Sequence, residues 1–145
     1  MSNARNRARQ LAMQALYQWQ IAGGNIRDIE AQFLQEHANK RFDREMFRDL
    51  LHSVPAQTDK LDALITEVAG RDMDSIDLVE RAILRLAVYE LSERPDVPYR
   101  VVINEAIELS HNFGAEQSHR FINGILDKLA ARLRAAEVRQ HHSAS

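Results

Sequence analysis

Two residue pairs in the C-terminal half have the spacing of metal ligands. Glu108 with His111, and Glu116 with His119, each stand three apart, which places both side chains of a pair on one face of a helix. Two Glu-x-x-His pairs with two further inward glutamates make the di-iron site of ferritin-like bundles. The further donors are not evident. Glu67, Glu80 and Glu90 fall on positions that read as polar faces, and Glu116, beside Gly114, reads as favourable charge at a helix N-terminus. A di-iron bundle enzyme therefore ranks last among the readings, and no metal, cofactor or catalytic residue is expected. The chain has no cysteine, which removes disulfides, thiolate metal sites and a thiol nucleophile together. No glycine pair precedes a helix in a phosphate-cradling arrangement, and no serine sits in a nucleophile elbow.

The first helix offers chemistry of a different kind. At about 100° per residue, the arc opposite its apolar stripe carries Arg7, Gln10, Gln14 and Tyr17, with Arg9 at the edge. Arg5 lies nearer the stripe, but at the helix end it can still reach outward. No acid occurs from Met1 to Arg27 to neutralise these guanidiniums. Arginine forks match phosphate oxygens, glutamine can read base edges, and an exposed tyrosine offers a stacking surface for an unpaired RNA base. The plainer alternative is a solvated amphipathic helix with Tyr17 folded over the core edge. A second cluster, His119-Arg120-Phe121, opens the last helix, where free amides and the dipole favour a phosphate. Here the alternative places Phe121 in the core.

These residues need rigid elements to hold them. Ala8, Leu11, Ala12, Ala15, Leu16 and Trp19 form one helical stripe, ended by Gly23-Gly24. Asn25 caps a second helix carrying Ile29, Phe33 and Leu34. Asp43 opens a third with Met46, Phe47, Leu50, Leu51 and Val54, and Pro55 must bend or break it. The pattern resumes with Leu61, Leu64, Ile65 and Val68 and stops at Gly70. Asp74 or Ser75 is expected to cap the next helix, which carries Leu78, Val79, Ala82, Ile83, Leu86 and Ala87. Pro95 and Pro98 make Arg94–Pro98 a stiff connector. Tyr99–Phe113 is helical again up to Gly114, and Ser118 begins a last helix with Phe121, Ile122, Ile125, Leu126, Leu129 and Leu133. No segment alternates with a strand's period of two. The expectation is an all-α bundle of six to seven helices, forming a single all-helical RNA-binding domain over 1–139, with a disordered tail at 140–145.

Of the 145 residues, 45% are apolar and 28% charged, an ordinary globular balance. No apolar run approaches the roughly 18 residues of a membrane span, so no membrane partner is expected. The formal net charge of −2 conceals a split: residues 28–108 sum to −8, and the two ends together to +6. Such a division suits a basic surface for a polyanion and an acidic one for another partner.

The order of motifs resembles the NusB family of transcription antitermination factors. The similar stretches are Val79-Glu80-Arg81-Ala82-Ile83-Leu84-Arg85-Leu86-Ala87-Val88-Tyr89-Glu90-Leu91, then Asp96-Val97-Pro98-Tyr99 through Ile103-Asn104-Glu105-Ala106-Ile107-Glu108-Leu109. Phe113-Gly114-Ala115-Glu116, Ser118-His119 and Phe121-Ile122-Asn123-Gly124-Ile125-Leu126-Asp127-Lys128 follow with matching gaps, and Arg7-Ala8-Arg9 and Ala15-Leu16-Tyr17-Gln18-Trp19 match near the start. The resemblance covers about residues 4–134. It implies two packed helical subdomains and a cytoplasmic protein that binds boxA RNA jointly with NusE, a ribosomal small-subunit protein. The implied setting is the RNA polymerase antitermination complex on ribosomal RNA operons. Carried onto this chain, RNA contacts fall on Arg5, Arg7, Arg9, Tyr17, Arg120 and Phe121, joined by Gln10 and Gln14 from the helical arc. The partner surface falls on residues 75–93 and 99–113, with Glu80 and Arg81 as candidates. Asn6 interrupts what is often a denser arginine run, which implies lower affinity. Gln117 stands where members often carry an acid, which favours RNA, and Pro55 sits inside the family's long third helix. The alternative reading is a helical protein-interaction module without an RNA role. A homodimer burying the first helix's aromatics is also left open.

Overall fold

Asn25, Asp43 and Asp77 each turn a side-chain oxygen onto a free amide at a helix start, accepting from Arg27, Met46 and Val79 respectively. Each such cap satisfies a donor that the helix itself leaves unpaired, worth about 1 kcal/mol. The computed structural model describes residues 3–144, so Met1, Ser2 and Ser145 lie outside it. Among the described residues there are eight α-helices, one 3-10 turn and no strand. They are α1 (Asn3–Ala22), α2 (Ile26–Glu36), α3 (Arg44–Ala56), α4 (Thr58–Ala69), α5 (Leu78–Glu93), α6 (Tyr99–Phe113), α7 (Ser118–Leu133) and α8 (Ala135–Ala144), with the 3-10 turn at Met73–Ser75.

The expected six to seven helices are eight, because Arg44–Ala56 and Thr58–Ala69 are separate and Ala135–Ala144 is one more. The Pro55 segment is broken rather than bent: Pro55 lies in the last turn of α3, which closes at Gln57 before α4 starts at Thr58. Three further expectations about elements need correction. Asp77 caps α5 rather than Asp74 or Ser75, because Met73–Ser75 turns tightly to bury Ile76. Glu90 is not on a polar face but buried. Residues 140–144, expected to be disordered, continue α8. The Glu137 carboxylate anchors that helix by accepting from the Tyr99 amide at 2.8 Å and pairing with Arg134 at 2.6 Å.

The chain divides into two compact units, Met1–Gln57 and Thr58–Ser145. In the first, α1 packs chiefly on α3, and α2 lies against both. Phe47 anchors an aromatic group with Phe33 and, edge-on, Phe42, the ring centroids 6.1 and 5.7 Å away. Glu30 of α2 binds Arg48 and His52 of α3, each at 2.8 Å. Burial pushes the Glu30 carboxyl up, but hydrogen bonds and charge from His52 and Arg48 outweigh it and hold it below the usual 4.5.

In the second unit α5 runs against α4, α6 and α7. Every residue from Ala82 to Leu91 is buried, so the helix has no wet face there. Arg85 pairs bidentately with Asp62 of α4, both bonds 2.8 Å. Arg134 is itself buried and donates to the carbonyls of Leu91, Glu90, Arg94 and Val97 at 2.8 to 3.1 Å. One guanidinium thus satisfies the end of α5 and the connector that follows it.

Candidate nucleic-acid interface

The α1 arc is presented much as its spacing predicts. Arg7 and Gln14 are exposed and Gln10 and Tyr17 half-buried, opposite buried Ala8, Leu11, Ala12, Ala15 and Leu16. Arg7 is steadied by donating from Nη1 to the Arg41 carbonyl at 3.0 Å, and Gln14 donates to the Gln10 carbonyl. Arg5 is partly exposed, and its Nε lies 3.9 Å from an Asp43 carboxylate oxygen, a long pairing that leaves the guanidinium largely accessible.

Arg9 departs from expectation: it is 2 % exposed. On the helical wheel it falls between Leu16 and Met13, about 20° from one and 40° from the other. Both are buried, so the dry arc extends past Arg9. Placed there, Arg9 supports the helix and is not available to a polyanion.

Around the wet side of α1 the structure gathers residues that sequence reasoning missed. A groove of about 590 Å³ is lined by Arg7, Gln10, Leu11 and Gln14 of α1 and by His37, Asn39, Lys40, Arg41 and Phe42 of the α2–α3 loop. Among the described residues, no carboxylate lines it. Among the described residues, Arg7, Lys40 and Arg41 form no ion pair. The signal was present as Lys40-Arg41 in a stretch without acids from 37 to 42, but the acidic total of residues 28–108 masked it.

The start of α7 carries the second cluster. Arg120 is exposed. Phe121 is half-buried, and the Arg71 guanidinium sits over its ring, 4.4 Å from the centroid. That contact covers one face of the ring, and nothing local to Phe121 announces it. The half-buried His119 meets His111, ring centroids 4.8 Å apart, and its Nδ1 is buried without a hydrogen-bond partner among the described residues. The two histidines of the metal-like pairs thus touch, but no group of three ligating side chains assembles among the described residues.

The partner candidates are engaged within the chain. Glu80 accepts from the Ser118 hydroxyl at 2.7 Å, tying the start of α5 to the start of α7. Arg81 donates to the Ile76 carbonyl at 2.8 Å. Both are half-buried, so a partner would meet them only in part. No helix among the described residues is long and apolar enough to cross a membrane.

Comparisons with known proteins agree with the fold and the motif order. The chain matches the NusB family over residues 6–131. It is similar to the transcription antitermination protein NusB of Alcanivorax borkumensis, 55% identical over 135 residues covering 93% of this chain and 90% of that protein. With that of Shewanella piezotolerans it shares 56% identity over 128 residues, covering 88% and 95%. Among solved structures, T. maritima NusB superposes with a TM-score of 0.74 at 33% identity, covering 90% of this chain and 92% of that one. A chain from a complex of the antitermination factors NusB and NusE with double-stranded RNA superposes with a TM-score of 0.76 at 28% identity, covering 89% and 97%. By sequence over most of its length and by fold, this chain belongs to the NusB family.

Proposed function

We propose that this chain is an RNA-binding transcription antitermination factor that grips boxA-type single-stranded RNA jointly with a ribosomal small-subunit protein acting as NusE. The observation that carries this is the α1 face: exposed Arg7 and Gln14 with Gln10 and Tyr17, beside a groove lined by further cations and no carboxylate. The guanidiniums supply phosphate contacts and the amides hydrogen bonds to base edges, while Tyr17 supplies a stacking surface. At the α7 start, Arg120 and Phe121 offer a second point of contact. Support for a shared role with NusE and RNA comes from the solved complex of NusB and NusE with double-stranded RNA. The role is regulatory rather than catalytic, and it belongs to the cytoplasm, in the polymerase complex that transcribes ribosomal RNA operons. Glu80 and Arg81, half-buried at the start of α5, remain our candidates for the protein contact, since the rest of that helix from Ala82 to Leu91 is covered within the chain.

The test is a titration of a boxA-type RNA, with and without the ribosomal partner, at two salt concentrations. Weak binding alone, strengthened by the partner and weakened by salt, is the expected result. RNA affinity that is absent in both arms, with the partner still bound, would leave a protein-interaction module in its place.

A further inference from the structure

We propose, building on the RNA-binding role above, that the groove between α1 and the 37–42 loop is a nucleotide pocket that takes one unstacked nucleotide of the bound RNA. Lys40 and Arg41 hold its flanking phosphates, and the side-chain amides of Gln10, Gln14 and Asn39 meet the edge of its base. The volume, about 590 Å³, lies within the roughly 300–1,000 Å³ of small-ligand clefts. Its chemistry suits a nucleotide: the cations can take phosphates, and a base edge presents both donors and acceptors, as do three carboxamides. His37 also lines the groove, and its Nδ1 is buried with no hydrogen-bond partner among the described residues. That leaves a polar atom of the lining to be satisfied.

Selection in this pocket works by edge contacts rather than stacking. The one aromatic carbocycle in the lining, Phe42, is 5 % exposed and has the Arg44 guanidinium 4.3 Å from its ring centroid. The pocket also explains the bond from Arg7 to the Arg41 carbonyl. That bond fixes the loop against α1, so the amides of the helix and the cations of the loop face one space before any ligand arrives.

The experiment is fluorescence anisotropy with a labelled short single-stranded boxA-type RNA and the full chain, with the ribosomal partner present. The wild type is compared with Lys40→Gln/Arg41→Gln, two exposed loop side chains whose change should leave circular dichroism and Tm unaltered. The double variant should bind roughly 5–10-fold more weakly, and its log–log salt slope should be less negative by about 1.4, near 0.7 per lost phosphate contact. On the wild type, photo-crosslinking from RNA carrying 4-thiouridine should mark residues 37–42. Equal affinity and slope in wild type and variant, with crosslinks only elsewhere, would overturn the pocket while leaving RNA binding intact. A wild type that binds no RNA would overturn the function and the pocket together. A variant defective only toward the protein partner, with RNA affinity unchanged, would reassign the groove to a protein ligand.

Discussion

Arg7 and Arg9 stand two residues apart on one helix, yet Arg7 meets solvent and Arg9 is 2 % exposed. Their substitutions should therefore separate function from stability. Arg7→Ala should weaken RNA binding roughly 3–10-fold, about the loss of one charge-assisted contact, with helicity unchanged and stability lowered by no more than about 1 kcal/mol for the lost bond to the Arg41 carbonyl. Arg9→Ala should instead cost about 2 kcal/mol or more in urea unfolding, because it removes a buried charged group from its partners. If Arg9→Ala unfolds like wild type but loses RNA binding, its assignment here is wrong. Arg134 makes the same point more strongly. Arg134→Met would remove the guanidinium from four carbonyls, of which those of Glu90 and Arg94 keep the amides of Arg94 and Val97, and should lower stability by about 2–5 kcal/mol, read as a shift of the denaturation midpoint.

At the scale of elements, three helix stops were legible because glycine marks them, those of α1, α4 and α6. Gly23 and Gly70 take φ of 70° and 69°, the left-handed conformation that closes a helix. Gly114 ends α6 for another reason. Its φ is −94°, and an added Cβ would stand 2.8 Å from the Ser110 carbonyl oxygen and 3.1 Å from Ser118. Gly114→Ala should therefore force the α6–α7 turn apart at a cost of about 1–3 kcal/mol. It should weaken RNA binding as well, since Arg120 and Phe121 ride on that turn. Unfolding and RNA titration of the same variant check both effects. Pro55 shows where local signals fall short. Its missing amide predicts a disturbance near position 55. That α3 runs one residue further and closes at Gln57 was a matter of which carbonyls the Gln57 amide could reach.

For the molecule as a whole, charge sets the response to pH and salt. The Glu30 and Glu137 carboxyls are both held below 4.5. At Glu137 burial acts upward, but the Tyr99 amide and Arg134 outweigh it. A lowered carboxyl binds its proton more weakly folded than unfolded, so the stability it adds is present above 4.5 and is lost as pH falls below it. Denaturant midpoints should be level from near neutral down to about pH 5.5 and then decline. Glu137→Gln should flatten that decline, and a midpoint that rises on acidification would contradict the assignment. RNA affinity, with three to five phosphate contacts, should fall with salt at a log–log slope of roughly −2 to −3.5.

Sequence alone determined that the chain is helical, where several of the helices begin or end, which family it belongs to, and which arc of α1 carries polar groups. Those features depend on periodicity and on residues within a turn or two of one another, so local order suffices to read them. Tertiary structure alone decided that Arg9 is dry, that Arg71 covers Phe121, that Arg134 reaches back some 40 residues to the connector, and that the Lys40-Arg41 loop lies beside Arg7. Each of these depends on which surfaces pack together. Close packing joins residues far apart in the chain, and no local spacing records the choice.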